Sequence, residues 1–330
     1  MKIKKVVLII LVILIVLGIG IILFKGKENK NVNDNKIKVV ASNFASYDFL
    51  RAIIGDNKDV DLTFLLGPGK EAHSYEPTAG DLLSIQNSDL FVYIGGDSEK
   101  WANKVLEALE NNHNKKVMCI AEVVDKLEEQ EIDGVEEHEH EHEDEEEHHD
   151  EHEEGAFDEH IWTSPSNAIK MVNALEEAME EIDENNKKEY KDNAESYIAK
   201  IKEIDNKIQE IVDNKVRDRL VFADKMPMQY FINYYKLNVS AAFSGCSTET
   251  EPSAKTIAYL EKVVKEENIP IILYIELNPG RVAKTIADET GTKAMQIQTL
   301  HNVSLDDFKN GETWVSLMER NLDVLKLALQ

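Results

Sequence analysis

The stretch SNAIKMVNALEEAMEEIDENNKKEYKDNAESYIAKIKEIDNKIQEIVDNKV, residues 166–216, contains no glycine and no proline. Apolar side chains recur through it at intervals of three and four residues, which is typical of amphipathic helices. Asp183 and the polar residues after it interrupt this pattern, so we predict two helices, the first capped by Ser164 or Ser166. The second, predicted over 186–214, is about 40 Å long at the helical rise of about 1.5 Å per residue. A helix of that length can join two domains rigidly, or it can be one arm of an ordinary helical hairpin.

Short apolar runs alternate with helical patterns on both sides of this stretch. Such alternation predicts an α/β fold in which a mostly parallel sheet carries helices on both faces. Each half of the chain holds enough runs for one four-stranded sheet, so we predict one lobe over 37–185 and another over 215–330. The predicted strands are 37–41, 62–66, 90–94, 117–120, 220–223, 239–242, 271–275 and 294–297. The predicted helices outside the central stretch are 44–54, 101–109, 254–266, 280–289 and 313–329.

The charge of the chain excludes some classes of partner. With 37 Lys and Arg against 63 Asp and Glu, its 330 residues carry a net charge of −26. Nucleic acid is excluded as a partner because phosphate binding needs a basic face, and a cation is the natural partner instead. The two cysteines, Cys119 and Cys246, form no CxxC pair, so they indicate neither a zinc knuckle nor a thioredoxin motif. Their spacing leaves open whether they pair with each other.

The N-terminus has the pattern of a membrane-spanning segment. Residues 6–24 are apolar or glycine, with three lysines before the run and two after it. A run of 19 residues can cross the hydrocarbon core as a helix, and lysines before it favour a location of the body outside the cytoplasm. We therefore predict an anchor and a polar tether over 1–36, with a cleaved signal peptide as the alternative.

One segment within the first predicted lobe consists of acids and histidines alone. Residues 136–154 read EEHEHEHEDEEEHHDEHEE, which is 13 acids and six histidines. Such a run cannot bury surface, so we predict a disordered loop. Imidazoles interleaved with carboxylates predict an auxiliary metal-binding loop, whereas a solvated acidic loop or a pH sensor is the alternative. The histidines of this loop are His138, His140, His142, His148, His149 and His152.

Four histidines lie elsewhere in the chain. His73 and His301 each follow a predicted strand, and His160 precedes the start of a predicted helix. In open α/β sheets, ligands bind beyond the carboxyl ends of the strands, so these three are candidate metal ligands. The fourth, His113, has the context of an exposed helix end.

A carboxylate could complete the ligand set. Asp224, in VFADKMP, and Glu249, in GCSTETEPS, are the two candidates. Nitrogen and oxygen ligands in a tetrahedral arrangement suit Zn²⁺. A closed shell of four ligands would bind the ion without chemistry, whereas an open position would permit a hydrolase. Glu276 is the candidate general base for that alternative, and no GxSxG, P-loop, HExxH or GxGxxG motif is present.

Several segments together resemble one known family. GPGKEAHSYEPTAGD (67–81) followed by DLFVYIGG (89–96) resembles the metal-binding signature of the substrate-binding proteins of zinc and manganese ABC importers. DEHIWTSPSNA (158–168) resembles the second ligand segment of that family, and KKEYKDNAESYIAKIKEID (187–205) resembles its interdomain helix. The acidic histidine-rich loop is similar to that of the zinc-preferring members.

This resemblance implies a fold and a ligand set. The fold is two α/β lobes, each with a mostly parallel four-stranded sheet, joined by a long rigid helix with the metal between them. His73 and His160 match the first and second ligands of the family, and His301 falls at the fourth. The segment expected to carry the third ligand, VFADKMPMQYF (221–231), departs from the family pattern. Asp224 is its nearest replacement, and Glu249 is the second option.

We therefore predict that the chain captures Zn²⁺ outside the cytoplasm and delivers it to an ABC permease with its ATPase. The ion is cargo, the protein is a monomer attached to the cytoplasmic membrane by its anchor, and it is not an enzyme. Imidazoles with one carboxylate favour Zn²⁺ over the alternative, Mn²⁺, which prefers more oxygen ligands. Two other classes of function stay open, which are a membrane-tethered zinc hydrolase and a metal-buffering, adhesin-like surface protein.

Overall fold

The computed structural model describes residues 36–109, 115–130, 157–247 and 251–330. Several predictions concern residues outside these ranges. They are the anchor with most of its tether, the acidic histidine-rich loop, the exposed position of His113, and Glu249 as a ligand. Within the described ranges, no helix is both long and apolar enough to cross a membrane. Cys119 and Cys246 are free thiols.

The first half of the chain forms a parallel sheet. Its strands lie in the order β2-β1-β3-β4, and every neighbouring pair is parallel. The end of the first strand is buried at Val39, Val40 and Ala41. Directly after it, the Asn43 side chain accepts a 2.9 Å hydrogen bond from the backbone N–H of Ser46 and so caps the first helix. The elements are β1 (Ile37–Ala41), α1 (Phe44–Ile54), β2 (Val60–Phe64), α2 (Ala79–Gln86), β3 (Leu90–Tyr93), α3 (Lys100–Leu109) and β4 (Lys116–Cys119).

Two helices, α4 (Pro165–Ile182) and α5 (Lys187–Asp213), fill the central stretch. Ser164 takes the N-cap position of α4, but its side chain makes no capping hydrogen bond, and Pro165 at the first turn starts the helix instead. Asp183 ends α4 and accepts a 2.6 Å hydrogen bond from the Tyr190 hydroxyl of α5. The predicted interruption at Asp183 is therefore also the joint that ties the two helices together.

The second half repeats the arrangement of the first. Its strands lie in the order β6-β5-β7-β8, and all neighbouring pairs are again parallel. In both sheets the first strand of the half lies between the second and the third. The elements are β5 (Arg219–Met226), α6 (Gln229–Tyr235), β6 (Asn238–Ser244), α7 (Ala254–Glu266), β7 (Ile271–Ile275), α8 (Arg281–Thr290), β8 (Lys293–Ile297), α9 (Leu305–Lys309) and α10 (Trp314–Leu329).

A buried carboxylate joins helices from three parts of the chain. Asp48 of α1 accepts hydrogen bonds from the Tyr197 hydroxyl of α5 and from the backbone N–H of Trp314, the latter at 2.7 Å. Arg51 pairs with the same carboxylate and offsets its charge. Burial raises the pKa of Asp48. Because α10 comes from the C-terminus and α1 from the first half, the long helix is held on both sides.

The predicted fold class is confirmed, since two four-stranded parallel sheets flank a helix of 27 residues. Three short helices, α2, α6 and α9, were not predicted because their apolar patterns are too short to show a period. Ile37–Gln330 forms one compact unit. The division into lobes that end and begin at residues 185 and 215 stays a prediction.

Candidate metal centre

Three imidazoles from distant parts of the chain meet at one point. The ring centroids of His73 and His301 lie 4.6 Å apart, those of His160 and His301 5.1 Å, and those of His73 and His160 5.4 Å. One nitrogen from each ring lies within 4.8 Å of the other two. Two nitrogens on a tetrahedral zinc ion are about 3.3 Å apart at the usual bond length of about 2.05 Å, so small side-chain movements would let all three bind one ion.

His73 lies in the loop that leads from β2 to α2. This loop turns twice at glycines, Gly67 and Gly69, with φ of 72° and 76°, a region that residues with a Cβ avoid. The His73 ring hydrogen-bonds to the backbone of Gly245, just after β6. Its Nε2 atom is buried and has no partner among the described residues. Burial, aided by charges on His160 and Lys225, lowers the pKa of His73 to about 3.

His160 lies just before the 3₁₀ turn Ile161–Thr163 that leads into α4, and it is 0 % exposed. The Asp158 carboxylate lies 3.0 Å from its Nδ1 and also accepts a 2.8 Å hydrogen bond from its backbone N–H. Trp162 packs edge-on against the ring at 5.4 Å. Because Asp158 engages Nδ1, Nε2 is the atom free to bind a metal, and it has no partner in the described part of the chain.

His301 follows β8, and Leu300 before it adopts the left-handed conformation with φ of 59°. Glu276, one residue beyond β7, holds this turn. Its carboxylate accepts hydrogen bonds of 2.9 Å from the backbone N–H of His301, 2.8 Å from that of Thr299, and 2.9 Å from the Thr299 hydroxyl. Burial, with the nearby charge of His160, lowers the pKa of His301 well below its ordinary value.

The environments of His73 and His301 keep these two imidazoles neutral, which is the form that binds metals. Protonating His73 or His301 would place a charge in a desolvated site next to other cations, and so the pKa of each falls. Within the described part of the chain, the buried Nε2 atoms of His73 and His160 have no hydrogen-bond partner. Such atoms are rare in folded proteins and call for a partner. A divalent ion with affinity for nitrogen satisfies both conditions.

The cavity beside the cluster has a volume of about 20 Å³, room for one ion or water. Two acids line it with the imidazoles. Glu99 accepts hydrogen bonds of 2.6 and 3.0 Å from the backbone N–H groups of Ile94 and Gly95, and burial raises its pKa to about 7. Burial also raises the pKa of Glu159. A bound cation would favour the ionised form of both acids.

Short contacts join the loops that carry His73 and His301. The side-chain amide of Asn302 donates hydrogen bonds to the carbonyls of Gly67 and Lys70, at 3.1 and 2.6 Å. The backbone N–H of Gly69 donates to the carbonyl of Val303 at 2.8 Å. These bonds link a loop of the first half to a loop of the second half, so the cluster is held by both.

Asp224 lies outside the group that the three histidines form, and its role as a ligand stays a prediction. Its carboxylate accepts hydrogen bonds of 3.1 Å from the backbone N–H of Ile275 and 2.8 Å from that of Lys225. The cause is an irregularity of β5, whose register to β6 shifts between Phe222 and Lys225. Asp224 therefore lies within the strand, turned toward β7. Among the described residues, the group able to hold a metal consists of the three histidines.

The sequence-based prediction also missed the residues that orient the ligands. Asp158 stands two positions before His160 in DEHIWTSP, and a carboxylate so close to a ligand histidine was the available signal. Glu276 was identified only as a candidate general base, whereas its oxygens hold the backbone of the His301 turn. Gly245 carries no sequence signal, because its role depends on the close approach of two loops.

The fold and the site together are those of a binding protein in which one long helix joins two α/β halves. The family model described as the periplasmic component A of the zinc-uptake complex, ZnuA, matches residues 39–328. The chain belongs to this family, which confirms the resemblance seen in its motifs.

Three relatives illustrate the similarity. The zinc-binding lipoprotein AdcA of Streptococcus pneumoniae is 32 % identical over 303 residues, which cover 90 % of this chain and 57 % of AdcA, so the chain spans just over half of that relative. The high-affinity zinc uptake system protein ZnuA of Bacillus subtilis is 32 % identical over 295 residues, covering 89 % of this chain and 88 % of the relative. The Zn(II)-bound ZnuA-like domain of S. pneumoniae AdcA superposes with a TM-score of 0.72 at 28 % identity, covering 89 % of this chain and 99 % of the domain.

Proposed function

We propose that the chain captures Zn²⁺ outside the cytoplasm and delivers it to an ABC permease driven by its ATPase. One observation carries the proposal, which is the convergence of His73, His160 and His301 on one point, where the buried Nε2 atoms of His73 and His160 have no hydrogen-bond partner among the described residues. The ion is cargo, bound by the imidazoles of these three residues. Three nitrogen ligands favour Zn²⁺ over Mn²⁺, because Mn²⁺ prefers oxygen.

Membership of the family supports the delivery step. The family is described as one component of a zinc-uptake complex, and two relatives of similar sequence carry zinc binding or zinc uptake in their names. We extend zinc binding and zinc uptake to this chain. We also propose that it is a monomer attached to the cytoplasmic membrane by its N-terminal segment.

Transport is favoured over hydrolysis by the position of Glu276. A zinc hydrolase needs a general base that can reach the metal-bound water. Both carboxylate oxygens of Glu276 are already engaged by Thr299 and His301. This carboxylate holds the site together and is not available as a base. A capture protein needs no such base, and so we propose that the chain is not an enzyme.

The histidine-rich loop is proposed as an auxiliary zinc-binding segment. Its stem lies close to the cluster, since Glu128 and Phe157 form an antiparallel bridge three residues before His160. The backbone N–H of Gln130 donates to the side chain of Gln229 at 3.1 Å, which holds the segment that leads from Glu128 toward the loop. A loop that starts there could raise the local concentration of zinc near the cluster.

The test is zinc binding by the whole chain in mild detergent, measured by competition with a high-affinity chelator. We compare the wild type, His73→Ala, His160→Ala and a variant lacking 136–154. We expect one tight Zn²⁺ site that survives the deletion and is lost in either histidine variant, with weaker Mn²⁺ binding. Loss of all binding with the loop would contradict the cluster as the capture site. Zinc-dependent ester or phosphoester hydrolysis that disappears in His160→Ala would instead support the hydrolase.

A further inference from the structure

A lysine is buried at the edge of the histidine cluster. Lys225 is the last residue but one of β5, and its side chain is only 10 % exposed. Its Nζ lies 3.6 Å from a carboxylate oxygen of Glu71, and the same oxygen is 3.5 Å from the backbone nitrogen of His73. Burying an ammonium group is costly unless a counter-charge stands close, and here Glu71 supplies it. The pair therefore lies directly beside the loop of a metal ligand.

The end of β5 is packed into the cluster itself. A Cβ atom built on Gly245 would lie 3.1 Å from the carbonyl oxygen of Met226, the residue after Lys225, and 3.2 Å from Cε1 of His160. Gly245 thus lies between the end of β5, the strand that carries Lys225, and the ring of His160. The ammonium of Lys225 is accordingly one of the charges that act on the imidazoles of both His73 and His301.

A divalent ion bound to the imidazoles would be repelled by this ammonium. The repulsion is screened less than at the surface, because the lysine side chain is buried. Glu71 acts in the opposite sense, since its carboxylate attracts the ion and offsets the lysine. Both residues also line a second cavity of about 370 Å³. The ammonium of Lys225 and the carboxylate of Glu71 thus act on the same bound ion in opposite directions.

We propose that Lys225 and Glu71 form a charge pair that sets how tightly the cluster holds Zn²⁺ and how fast it releases it. Lys225 weakens binding and speeds release, and Glu71 strengthens binding. The inference rests on the proposed function, because it assumes that the three imidazoles hold the ion. A capture protein must also hand its cargo on, and a fixed positive charge beside the site favours that step.

The experiment measures Zn²⁺ affinity and dissociation rate for the whole chain in mild detergent, by chelator competition and by stopped-flow transfer to a chromophoric chelator. In Lys225→Met we expect affinity to rise and dissociation to slow, each about tenfold, as removal of one charge near a divalent ion predicts. In Glu71→Gln we expect affinity to fall about threefold to tenfold for the same reason. Lys225→Arg keeps the charge and should retain the wild-type affinity within about twofold.

The matched control is the exposed pair Lys207 and Glu319, which joins α5 to α10 at 3.1 Å. Lys207→Met and Glu319→Gln change the net charge in the same way far from the cluster and should leave zinc affinity unchanged. The decisive feature is the opposite sign of the two variants at the cluster. A pair with a merely structural role would weaken binding in both Lys225→Met and Glu71→Gln, and that result overturns the proposal.

Three other outcomes are also decisive. If Lys225→Met does not fold, Glu71→Gln can still overturn the proposal, because Glu71 is half-exposed. Unchanged or higher affinity in Glu71→Gln then overturns the charge-pair proposal. If the wild type itself shows no tight site that depends on His73, the proposed function fails. A wild type that binds zinc while Lys225→Met leaves affinity unchanged refutes the charge pair alone.

Discussion

His160 and His301 reach the same cluster, but different kinds of contact hold them. The Asp158 carboxylate, two residues away in sequence, holds the ring of His160 through its Nδ1 atom. The backbone of His301 is held by the carboxylate of Glu276, which lies 25 residues away in sequence, directly after β7. One ligand is thus oriented by its own segment and the other by the tertiary fold.

The difference separates two ways of damaging a metal site. Removing a local partner such as Asp158 frees one ring to rotate or to change tautomer, while the chain around it stays in place. Removing a remote partner such as Glu276 leaves buried N–H groups of a whole turn without acceptors. The first change acts mainly on metal affinity, and the second acts on stability as well.

The largest effect is expected for Glu276→Gln. The amide keeps one oxygen, but its NH₂ group must face a backbone N–H of either Thr299 or His301, which leaves a buried donor unsatisfied. We expect the free energy of unfolding to fall by about 2 kcal/mol or more, and zinc affinity to fall with it. Chemical denaturation of the metal-free protein and chelator competition measure the two quantities.

Glu195→Gln, at an exposed position of α5, is the control for loss of one carboxylate. It should change neither stability nor affinity measurably. If Glu276→Gln keeps the wild-type stability, then the carboxylate does not hold the His301 turn, and the contrast between the two histidines fails.

The sequence predicted the fold and the three histidines because both depend on strong, regular signals. Alternating apolar runs predict parallel sheets, and ligands bind beyond the carboxyl ends of such strands, where His73 follows β2 of the first sheet and His301 follows β8 of the second. The position of Asp224 within β5 could not be predicted, because the register of β5 to β6 shifts between Phe222 and Lys225 and no residue pattern reports such a shift. The burial of Lys225 could not be predicted either, since its partner Glu71 is 154 positions away.

A smaller effect is expected for Asp158→Asn. The amide oxygen can still accept the bonds from the ring and from the backbone N–H of His160, but without a negative charge it holds the ring with Nδ1 protonated less firmly. We expect zinc affinity to fall about 10- to 100-fold, the usual effect of removing such a partner, while the unfolding midpoint of the metal-free protein changes little. Asp125→Asn, at an exposed ion pair with Lys170, is the control and should bind as the wild type. Equal affinity in Asp158→Asn and Asp125→Asn would show that His160 needs no local orientation.

The smallest effect is a dependence of stability on pH that sets His301 apart from ordinary histidines. Its pKa is lowered by burial, and that of His73 falls to about 3. Well above pH 6.5 both imidazoles are neutral whether the chain is folded or unfolded, so they do not change the free energy of unfolding. Below that pH the unfolded chain takes up protons that the folded chain does not, and the free energy of unfolding falls as the pH falls.

The measurement is chemical denaturation of the metal-free protein at pH 7.5 and pH 6.0, for the wild type and for His301→Asn. Between these values each buried neutral histidine contributes a loss of about 1 kcal/mol relative to an unfolded pKa of about 6.5. The wild type should therefore lose about 1 kcal/mol more than His301→Asn, because the variant keeps the other titrating groups and lacks only this one. An equal loss in both proteins would mean that His301 protonates in the folded state as readily as in the unfolded state, which a ring enclosed by His73, His160 and Lys225 should not do.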